Sequence, residues 1–376
     1  MIRVLQVVTS MDVGGIETLL MNLYRHIDRT LIQFDFLLHR QQETFFEKEI
    51  MALGGEIYRV PPIDPFHHHA YLKALDTFFA EHMEYKIIHA HNNAFSMYVL
   101  RAAKRAGIPV CIAHSHTAHV PFDIKRTVFY NYCSMKISRY TDYSFACSLD
   151  SGNWLFGKSI TENERFHVMH NGIDCDKFSF STSTRQEARK QLNIQDQLLI
   201  GHIGSFIQYK NHPFLLRIFN ALLQSHPNAI LMLVGDGQLR KVIEQQALNM
   251  NLYNKVKFLG VRSDVAQLMQ AMDLLLFPSL FEGLGIVLIE AQAAGLPCLA
   301  SDRVPKEAKV TDLLEHMPLE ESPEHWSQKA FQMMKDNTRR DRSAEIKAAG
   351  YDIDETSRWL QDFYLTRYAK AIGNWT

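Results

Sequence analysis

Two glutamates, Glu282 and Glu290, stand in an E-x7-E spacing around a glycine-rich loop. An apolar run at 274–277 precedes the loop, and a helical pattern that ends at Gly295 follows it, which predicts strand, loop and helix in that order. The start of a helix offers unpaired N–H groups to an anion, and glycines let a ligand come close to the backbone. Carboxylates on both sides of such an anion seat accept hydrogen bonds from hydroxyls. The pattern therefore fits a polyhydroxylated diphosphate such as a nucleotide-sugar.

A second loop, which follows the apolar run 198–204, carries Ser205 and Lys210 ahead of a predicted helix. A lysine here would offset the charge of a departing diphosphate, and the alternative is an ordinary solvated surface lysine. Gly14 and Gly15 follow the first predicted strand and open its helix. They form no complete G-x-G-x-x-G motif and no acidic partner follows, which argues against a dinucleotide cofactor.

His114 and His116 follow a predicted strand at 110–113. Two histidines in this spacing could bind a metal, but no cysteine, aspartate or histidine stands near them at ligand spacing. The sequence therefore predicts contact with a sugar hydroxyl or a phosphate rather than zinc.

Strands and helices alternate along the whole chain in two sets that are separated by a polar, Ser/Thr-rich stretch at 177–197, which is typical of a linker. Such alternation predicts an α/β fold of two doubly wound, Rossmann-like domains with a cleft between them. We place the domains at 1–178 and 179–355. The predicted strands are 4–9, 34–38, 57–60, 86–90, 110–113 and 143–146 in the first domain, and 198–204, 230–235, 256–260, 274–277 and 297–300 in the second.

Composition narrows the class of protein. The 376 residues are 47% hydrophobic, which supports two cores, and 40 basic against 41 acidic residues give no general attraction to nucleic acid. Five scattered cysteines indicate a reducing compartment. The first apolar run is too short for a signal peptide, so we expect a cytoplasmic protein.

The segment 122–140 mixes basic and aromatic residues. It has two interpretations: a partly exposed amphipathic helix, or a helix that rests on the anionic inner surface of a membrane.

Several further stretches, together with the glutamate block, resemble glycosyltransferase family 4, and within it the bacterial exopolysaccharide and capsular polysaccharide enzymes. The stretches lie at 14–17, 112–116, 146–148, 154–157, 170–174, 210–212, 234–237, 258–260, 281–285 and 290–297. The resemblance implies the two-domain GT-B fold, with a final helix at 356–376 that carries Trp359, Phe363 and Tyr364 back to the first domain. It also implies a metal-independent, cofactor-free enzyme that transfers sugar, with retention, from a nucleoside diphosphate donor, UDP being favoured.

The resemblance also assigns roles to the donor-side residues. Glu282 would hold donor sugar hydroxyls, Glu290 the ribose, and Lys210 the diphosphate. The remaining donor-side roles are the backbone N–H groups of Gly285, Ile286 and Val287 towards the phosphates, and the backbone of Val261 and Arg262 towards the base.

In the first domain, Gly15 would leave room for the phosphates, and His114 or His116 would approach the reacting sugar. The resemblance also implies a saccharide acceptor that is linked to a lipid, and a role in the synthesis of surface polysaccharide.

One position departs from the family pattern. An arginine commonly follows the glycine of the lysine loop, and this chain has Ser205 there. A hydroxyl supplies no charge, so either Lys210 and the helix N-terminus suffice, or Arg262 or Arg303 contributes. Two other functions stay open from the sequence: a GT-B epimerase of sugar nucleotides, and a non-catalytic, donor-binding subunit.

Overall fold

The computed structural model describes residues 1–63, 68–117, 124–336 and 338–373. The chain forms two compact units: unit 1 comprises Met1–Gly172 and Ile353–Thr376, and unit 2 comprises Ile173–Asp352. The chain thus enters unit 2 a few residues before the expected boundary at 178, and returns to unit 1 just before the expected boundary at 355. The last helix belongs to unit 1.

Unit 1 is built on a parallel sheet. Within the described residues its strands follow the spatial order β3-β2-β1-β4-β5-β6-β7. Their bounds are β1 Ile2–Val8, β2 Ile32–Leu38, β3 Ile57–Arg59, β4 Ile87–Ala90, β5 Val110–Ser115, β6 Tyr143–Ala146 and β7 Phe166–Val168. β2 is buried along its whole length, because helices cover both faces of the sheet.

The helices of unit 1 are amphipathic or short. Their bounds are α1 Gly15–His26, α2 Glu47–Ala52, α3 His69–Glu81, α4 Ser96–Arg105, α5 Ile124–Ile137, α6 Leu149–Phe156 and α7 Lys158–Thr161, with 3-10 turns at Asn93–Phe95 and Ser138–Tyr140. α1 buries Leu19, Leu20, Leu23 and Tyr24 at helical spacing, which is why the run after Gly14 folds as a helix.

Unit 2 repeats the design with a parallel sheet in the order β10-β9-β8-β11-β12-β13, counted over the described residues. Its strands are β8 Leu199–Ile203, β9 Ile230–Val234, β10 Val256–Phe258, β11 Leu274–Phe277, β12 Cys298–Ser301 and β13 Leu314–Met317. Its helices are α8 Cys175–Phe178, α9 Thr182–Gln191, α10 His212–Ser225, α11 Arg240–Asn249, α12 Val265–Ala271, α13 Ile286–Ala293, α14 Pro323–Asp336 and α15 Ser343–Ile346, followed by a π-turn at Lys347–Tyr351. Further 3-10 turns lie at Gln208–Lys210, Tyr253–Lys255 and Lys306–Ala308. α16, Ile353–Ala371, completes unit 1.

The expected linker at 177–197 is wrong. About half of this polar stretch forms α9, which is anchored to unit 2 by two arginines. Arg185 bonds Asp273 at 2.5 Å and donates to the carbonyls of 270, 271 and 272, and Arg189 also reaches Asp273 at 3.3 Å. The segment is polar because its guanidinium groups, rather than an apolar stripe, hold it in place.

Both sheets reverse their strand order at the first strand of the unit. β1 lies between β2 and β4, and β8 lies between β9 and β11. Loops that leave the carboxyl ends of such neighbouring strands diverge and leave room for a ligand. None of the helices in the described ranges has the length and apolar content that a membrane span requires.

Candidate functional site

The loops after β8 and β11 meet at the strand reversal of unit 2. The Leu280 amide donates to the Tyr209 carbonyl at 2.7 Å, and the Asn211 side chain donates to the Pro278 carbonyl at 3.1 Å. Asn211 adopts a left-handed backbone as it opens α10. The lysine loop and the glutamate loop are therefore held side by side, as the order of the strands requires.

Lys210 and Glu282 form an ion pair between these loops. Their side chains meet at 2.6 Å and are only 16% and 10% exposed. The Lys210 ammonium also lies 4.5 Å from the centre of the Phe277 ring, and its stem packs where a side chain on Gly204 would stand. This ion pair lies where the loops after β8 and β11 leave the sheet, and each side chain neutralises the charge of the other.

The N-terminus of α13 lies at the end of the glutamate loop. Gly285 caps it with a φ of +76°, a left-handed conformation that a side chain would strain. The first N–H groups of the helix, at Ile286 and Val287, have no intrahelical carbonyl to pair with. They are donors for an anion, and the helix dipole favours negative charge there.

Glu290 lies one turn further along α13 and is buried. Burial raises the pKa of its carboxyl to about 7, and the nearby Lys177 partly opposes this shift. Ionising a buried carboxyl costs folding free energy, and carboxyls with a pKa raised in this way are common at functional sites. Glu282 and Glu290 therefore differ sharply: the first is paired with a lysine, and the second is buried with a raised pKa.

In the described part of the chain, neither Arg262 nor Arg303 is free to replace the charge missing at Ser205. Arg262 binds Asp264 through two hydrogen bonds, at 2.7 and 2.6 Å, and Arg303 binds Glu320 at 2.8 Å. Ser205 itself is half-buried, directly after Gly204. Both candidate arginines are thus engaged with carboxylates on the surface.

The loop after β10, which carries Val261 and Arg262, is joined to the neighbouring loop. The Gly235 amide donates to the Gly260 carbonyl at 2.8 Å, and Val261 is exposed. These residues lie on the β9 side of the strand reversal in unit 2.

In unit 1 the loop after β1 leads to Gly14 and Gly15, at the start of α1. A Cβ added at Gly15 would meet no described atom within 4 Å, whereas one at Gly14 would collide with the Glu17 carboxylate at 2.3 Å. Burial raises the pKa of Glu17 to about 7. Gly15 therefore faces open space, and its lack of a side chain is not required by the packing of unit 1.

The histidine pair departs from expectation in two ways. β5 runs to Ser115, so His114 lies within the strand rather than after it, and both His114 and His116 are buried. The expectation that no ligand partner stands near was wrong: nitrogens of His89, His91 and His114 lie within 4.8 Å of one another, close enough to hold a metal ion. The reason is strand pairing, since β4 lies beside β5 and pairs His89 with Ile112.

These residues form a cluster of four stacked imidazoles. His89 contacts His114 at 3.2 Å between ring nitrogens, and His91 contacts His116 at 2.9 Å. The rings of His114 and His116 stack with their centres 4.0 Å apart, and Phe145 packs edge-on against His89 and His114. Burial lowers the pKa of all four, to about 3 for His116, so the cluster is neutral at pH 7.

Sequence reasoning missed His89 and His91, although a signal was present. The run His89-Ala90-His91 ends a predicted strand, just as His114-Ser115-His116 ends the next one. It also did not foresee that Gln6 on β1 and Tyr364 on α16 would join the cluster.

Comparison with known proteins agrees with this geometry. Residues 13–177 match the family described as Glycosyltransferase Family 4, and residues 184–350 match that described as Glycosyl transferases group 1. The protein EpsF of Bacillus subtilis, which is named as a glycosyltransferase, is 36% identical over 330 residues, or 87% of this chain and 86% of that one. The chain belongs to glycosyltransferase family 4.

More distant relatives agree with this family assignment. A UDP-Gal:α-D-GlcNAc-diphosphoundecaprenol α-1,3-galactosyltransferase of Escherichia coli is 24% identical over 226 residues, 58% of each chain. The crystal structure of HepE from Anabaena in complex with UDP-glucose aligns with 97% of this chain and 100% of that chain, with a TM-score of 0.76 at 21% identity. This family 4 chain therefore has the GT-B fold and is a glycosyltransferase.

Proposed function

We propose that the protein is a retaining, metal-independent glycosyltransferase that moves a sugar from a UDP-sugar to a lipid-linked saccharide in surface polysaccharide synthesis. The observation that carries the proposal is the arrangement in unit 2: two loops that are bonded to each other hold the Lys210–Glu282 pair, and α13, which follows the second loop, adds its open N-terminus and the buried Glu290. It combines a cation, free N–H donors and two carboxylates, which is what a diphosphate flanked by hydroxyls requires.

In this proposal the donor breaks the Lys210–Glu282 pair. Lys210 turns to the diphosphate and Glu282 accepts hydrogen bonds from sugar hydroxyls, while Glu290 receives the ribose hydroxyls and Val261 and Arg262 flank the base. The phosphates take the N–H groups of α13. Since Ser205 adds no charge, Lys210 and the helix dipole together stabilise the leaving diphosphate.

The identity of the donor and acceptor is supported by the names of relatives. The Escherichia coli relative is named for a UDP-galactose donor and a diphosphoundecaprenol acceptor, and HepE was crystallised with UDP-glucose. The proposed donor base and lipid carrier rest on these names, whereas the proposed diphosphate site rests on the residues of this chain.

A membrane-bound acceptor also agrees with the outer face of α5. Val128 and Met135 are 65% and 75% exposed on this helix, and the Lys136 ammonium lies 4.3 Å from the ring centre of Tyr132. Phe122, at the start of the expected basic–aromatic segment, lies outside the described residues.

We expect peripheral binding to anionic vesicles, which flotation with and without phosphatidylglycerol would measure. The double variant Val128→Ser with Met135→Ser should weaken this binding. Equal flotation with both kinds of vesicle would contradict it.

The function is tested by a thermal-shift panel of nucleoside diphosphate sugars, followed by mass spectrometry of the product formed from the best donor. A ligand that binds the folded state stabilises it more the further its concentration exceeds Kd, so at equal concentrations the true donor should raise Tm the most. Lys210→Ala should lower turnover by about 10² to 10³, whereas the matched surface variant Lys241→Ala on α11 should leave turnover unchanged. An unaffected rate in Lys210→Ala would show that the loop does not hold the leaving group, and an epimerised donor without acceptor product would identify an epimerase.

A further inference from the structure

The four-histidine cluster of unit 1 is joined to one amide, that of Gln6. The Gln6 Oε1 atom lies 2.9 Å from His91 Nε2, and the Gln6 Nε2 atom donates to the Tyr364 hydroxyl at 3.3 Å. The Tyr364 oxygen in turn lies 2.6 Å from His89 Nδ1. Gln6 therefore begins two hydrogen-bond chains, one through His91 and the other through Tyr364.

The first chain has only one consistent direction. An amide oxygen only accepts, so His91 carries its proton on Nε2 and donates to Gln6. The Nδ1 atom of a neutral His91 is then an acceptor, and His116 must donate to it from Nε2 at 2.9 Å. The His116 Nδ1 atom is left as a bare acceptor, and it is buried without a hydrogen-bond partner among the described residues.

The second chain runs in the opposite sense. Tyr364 accepts from the Gln6 amide, so its own proton goes to His89 Nδ1, and His89 carries its proton on Nε2. His89 then donates to His114 Nδ1 at 3.2 Å, which leaves the proton of His114 on Nε2. That N–H group is also buried and has no partner within the described part of the chain.

We propose that Gln6 and Tyr364 are positioning residues that set the tautomers of all four histidines, so that the cluster presents one N–H donor, at His114, and one bare acceptor, at His116. Each inward nitrogen is then satisfied by a neighbour without a metal ion. A buried donor or acceptor that lacks a partner is costly, so both ends call for a ligand group.

The polarity of the two ends selects the ligand. A hydroxyl both accepts and donates, and it matches a donor beside an acceptor on rings whose centres are 4.0 Å apart. A phosphate or carboxylate oxygen only accepts, and would face the bare His116 nitrogen. The structure thus assigns this cluster to a neutral saccharide hydroxyl rather than to the diphosphate, a step that rests on the proposed transferase function.

The tautomers are measured in the full-length protein, free of substrate, by long-range proton–nitrogen NMR with 15N-labelled histidine. Single histidine-to-glutamine variants assign the signals. In the native protein all four histidines should carry the proton on Nε2. In Gln6→Glu at pH 8.5, the carboxylate accepts from Tyr364, so His89 and His114 should move their proton to Nδ1, while His91 and His116 stay unchanged.

The variant Gln6→Glu combined with Tyr364→Phe should lose this inversion, because the link between residue 6 and His89 is cut. Tyr368→Phe, on the same helix, serves as the control and should leave the tautomers as in the native protein. Unchanged tautomers in folded Gln6→Glu, or a stoichiometric metal ion in the purified protein, would overturn the proposal.

Measurements of kcat/KM test the assignment of the ligand separately from the assignment of the tautomers. In Gln6→Glu both ends of the histidine cluster are acceptors, so one hydrogen bond to the saccharide hydroxyl is lost. We expect kcat/KM to fall about tenfold. An unchanged kcat/KM beside inverted tautomers would overturn the assignment to a saccharide hydroxyl. Because the NMR measurement needs no substrate, failure of the proposed transferase reaction would leave the tautomer result intact and be recognised separately.

Discussion

Glu290 and Glu282 are the same residue type in one motif, yet their surroundings give them different properties. Glu282 is neutralised by Lys210 at 2.6 Å, whereas burial raises the pKa of Glu290 to about 7. Glu282 can therefore turn to a ligand once that ligand draws Lys210 away. Glu290 is destabilised when ionised and gains most from hydroxyls that donate to it.

Replacing Glu290 with glutamine should stabilise the ligand-free protein at high pH. The folded carboxyl takes up its proton near pH 7 and the unfolded one near 4.5, so its contribution to stability is fully present below 4.5 and is lost as the pH rises through 7. Glu290→Gln should therefore gain at most about 3 kcal/mol at pH 8 and little at pH 4.5. Urea unfolding at both pH values measures this difference.

If Glu290 accepts from the ribose as we propose, the same variant should bind the UDP-sugar more weakly, because an amide replaces that carboxylate. Exposed Glu324→Gln on α14 is the matched control and should change neither stability nor affinity. Equal stability of Glu290→Gln and the native protein at pH 8 would show that Glu290 is not held out of water.

At the scale of elements, two helix starts carry the glycines that the sequence singled out, and for different reasons. Gly285 opens α13 with a left-handed backbone, so its role is conformational. Gly15 opens α1 and a side chain there would meet no described atom, so the packing of unit 1 does not require a glycine at this position. The two loops in unit 2 are joined by hydrogen bonds from the Leu280 amide and the Asn211 side chain, so their relative position does not depend on a ligand.

Gly15→Ala should separate folding from function. Alanine favours a helix over glycine by up to about 1 kcal/mol, so Tm should stay or rise slightly. If the donor phosphates occupy the space beside Gly15, the added methyl should lower kcat/KM about tenfold, or about 1.4 kcal/mol. Gly14→Ala gives the contrast: its methyl meets only the end of the Glu17 side chain, which can shift, so Tm should change little. Full activity of Gly15→Ala would remove Gly15 from the site.

At the scale of the whole molecule, buried histidines make both units sensitive to acid. Burial lowers the pKa of His89, His91, His114 and His116 in unit 1, and of His202 and His212 in unit 2, the last to about 4. Each is neutral in the fold but takes up a proton near pH 6.5 when unfolded. Their contribution to stability is therefore present above 6.5 and is lost as the pH falls.

We expect Tm to fall steadily from pH 6.5 to 4.5 in scanning calorimetry. The raised pKa values of Glu17 and Glu290 act in the opposite direction over this range, but two carboxyls do not offset six histidines. His116→Gln should make the slope of Tm against pH shallower, whereas exposed His325→Gln should leave it unchanged. A Tm that stays flat down to pH 4.5 would contradict the burial of the cluster.

Much of unit 2 could be predicted because its site depends on local signals and on one general rule. The glycine loop, the helix start after it and the lysine loop are each readable within about a dozen residues. Parallel strands bring their carboxyl ends to one edge, so two such loops on adjacent strands meet, and Lys210 pairs with Glu282. The polar stretch at 177–197 was misread because arginine-to-carbonyl bonds leave no apolar pattern.

By itself the sequence determined the alternation of strands and helices, the family, and the residue types of the proposed donor site, since periodicity, turns and helix starts are encoded locally. Only the tertiary structure decided which histidines form one cluster. His89 and His91 meet His114 and His116 through the pairing of β4 with β5, and Gln6 and Tyr364 arrive from β1 and the last helix. Contacts between segments so far apart depend on strand order and on burial, which no local pattern records.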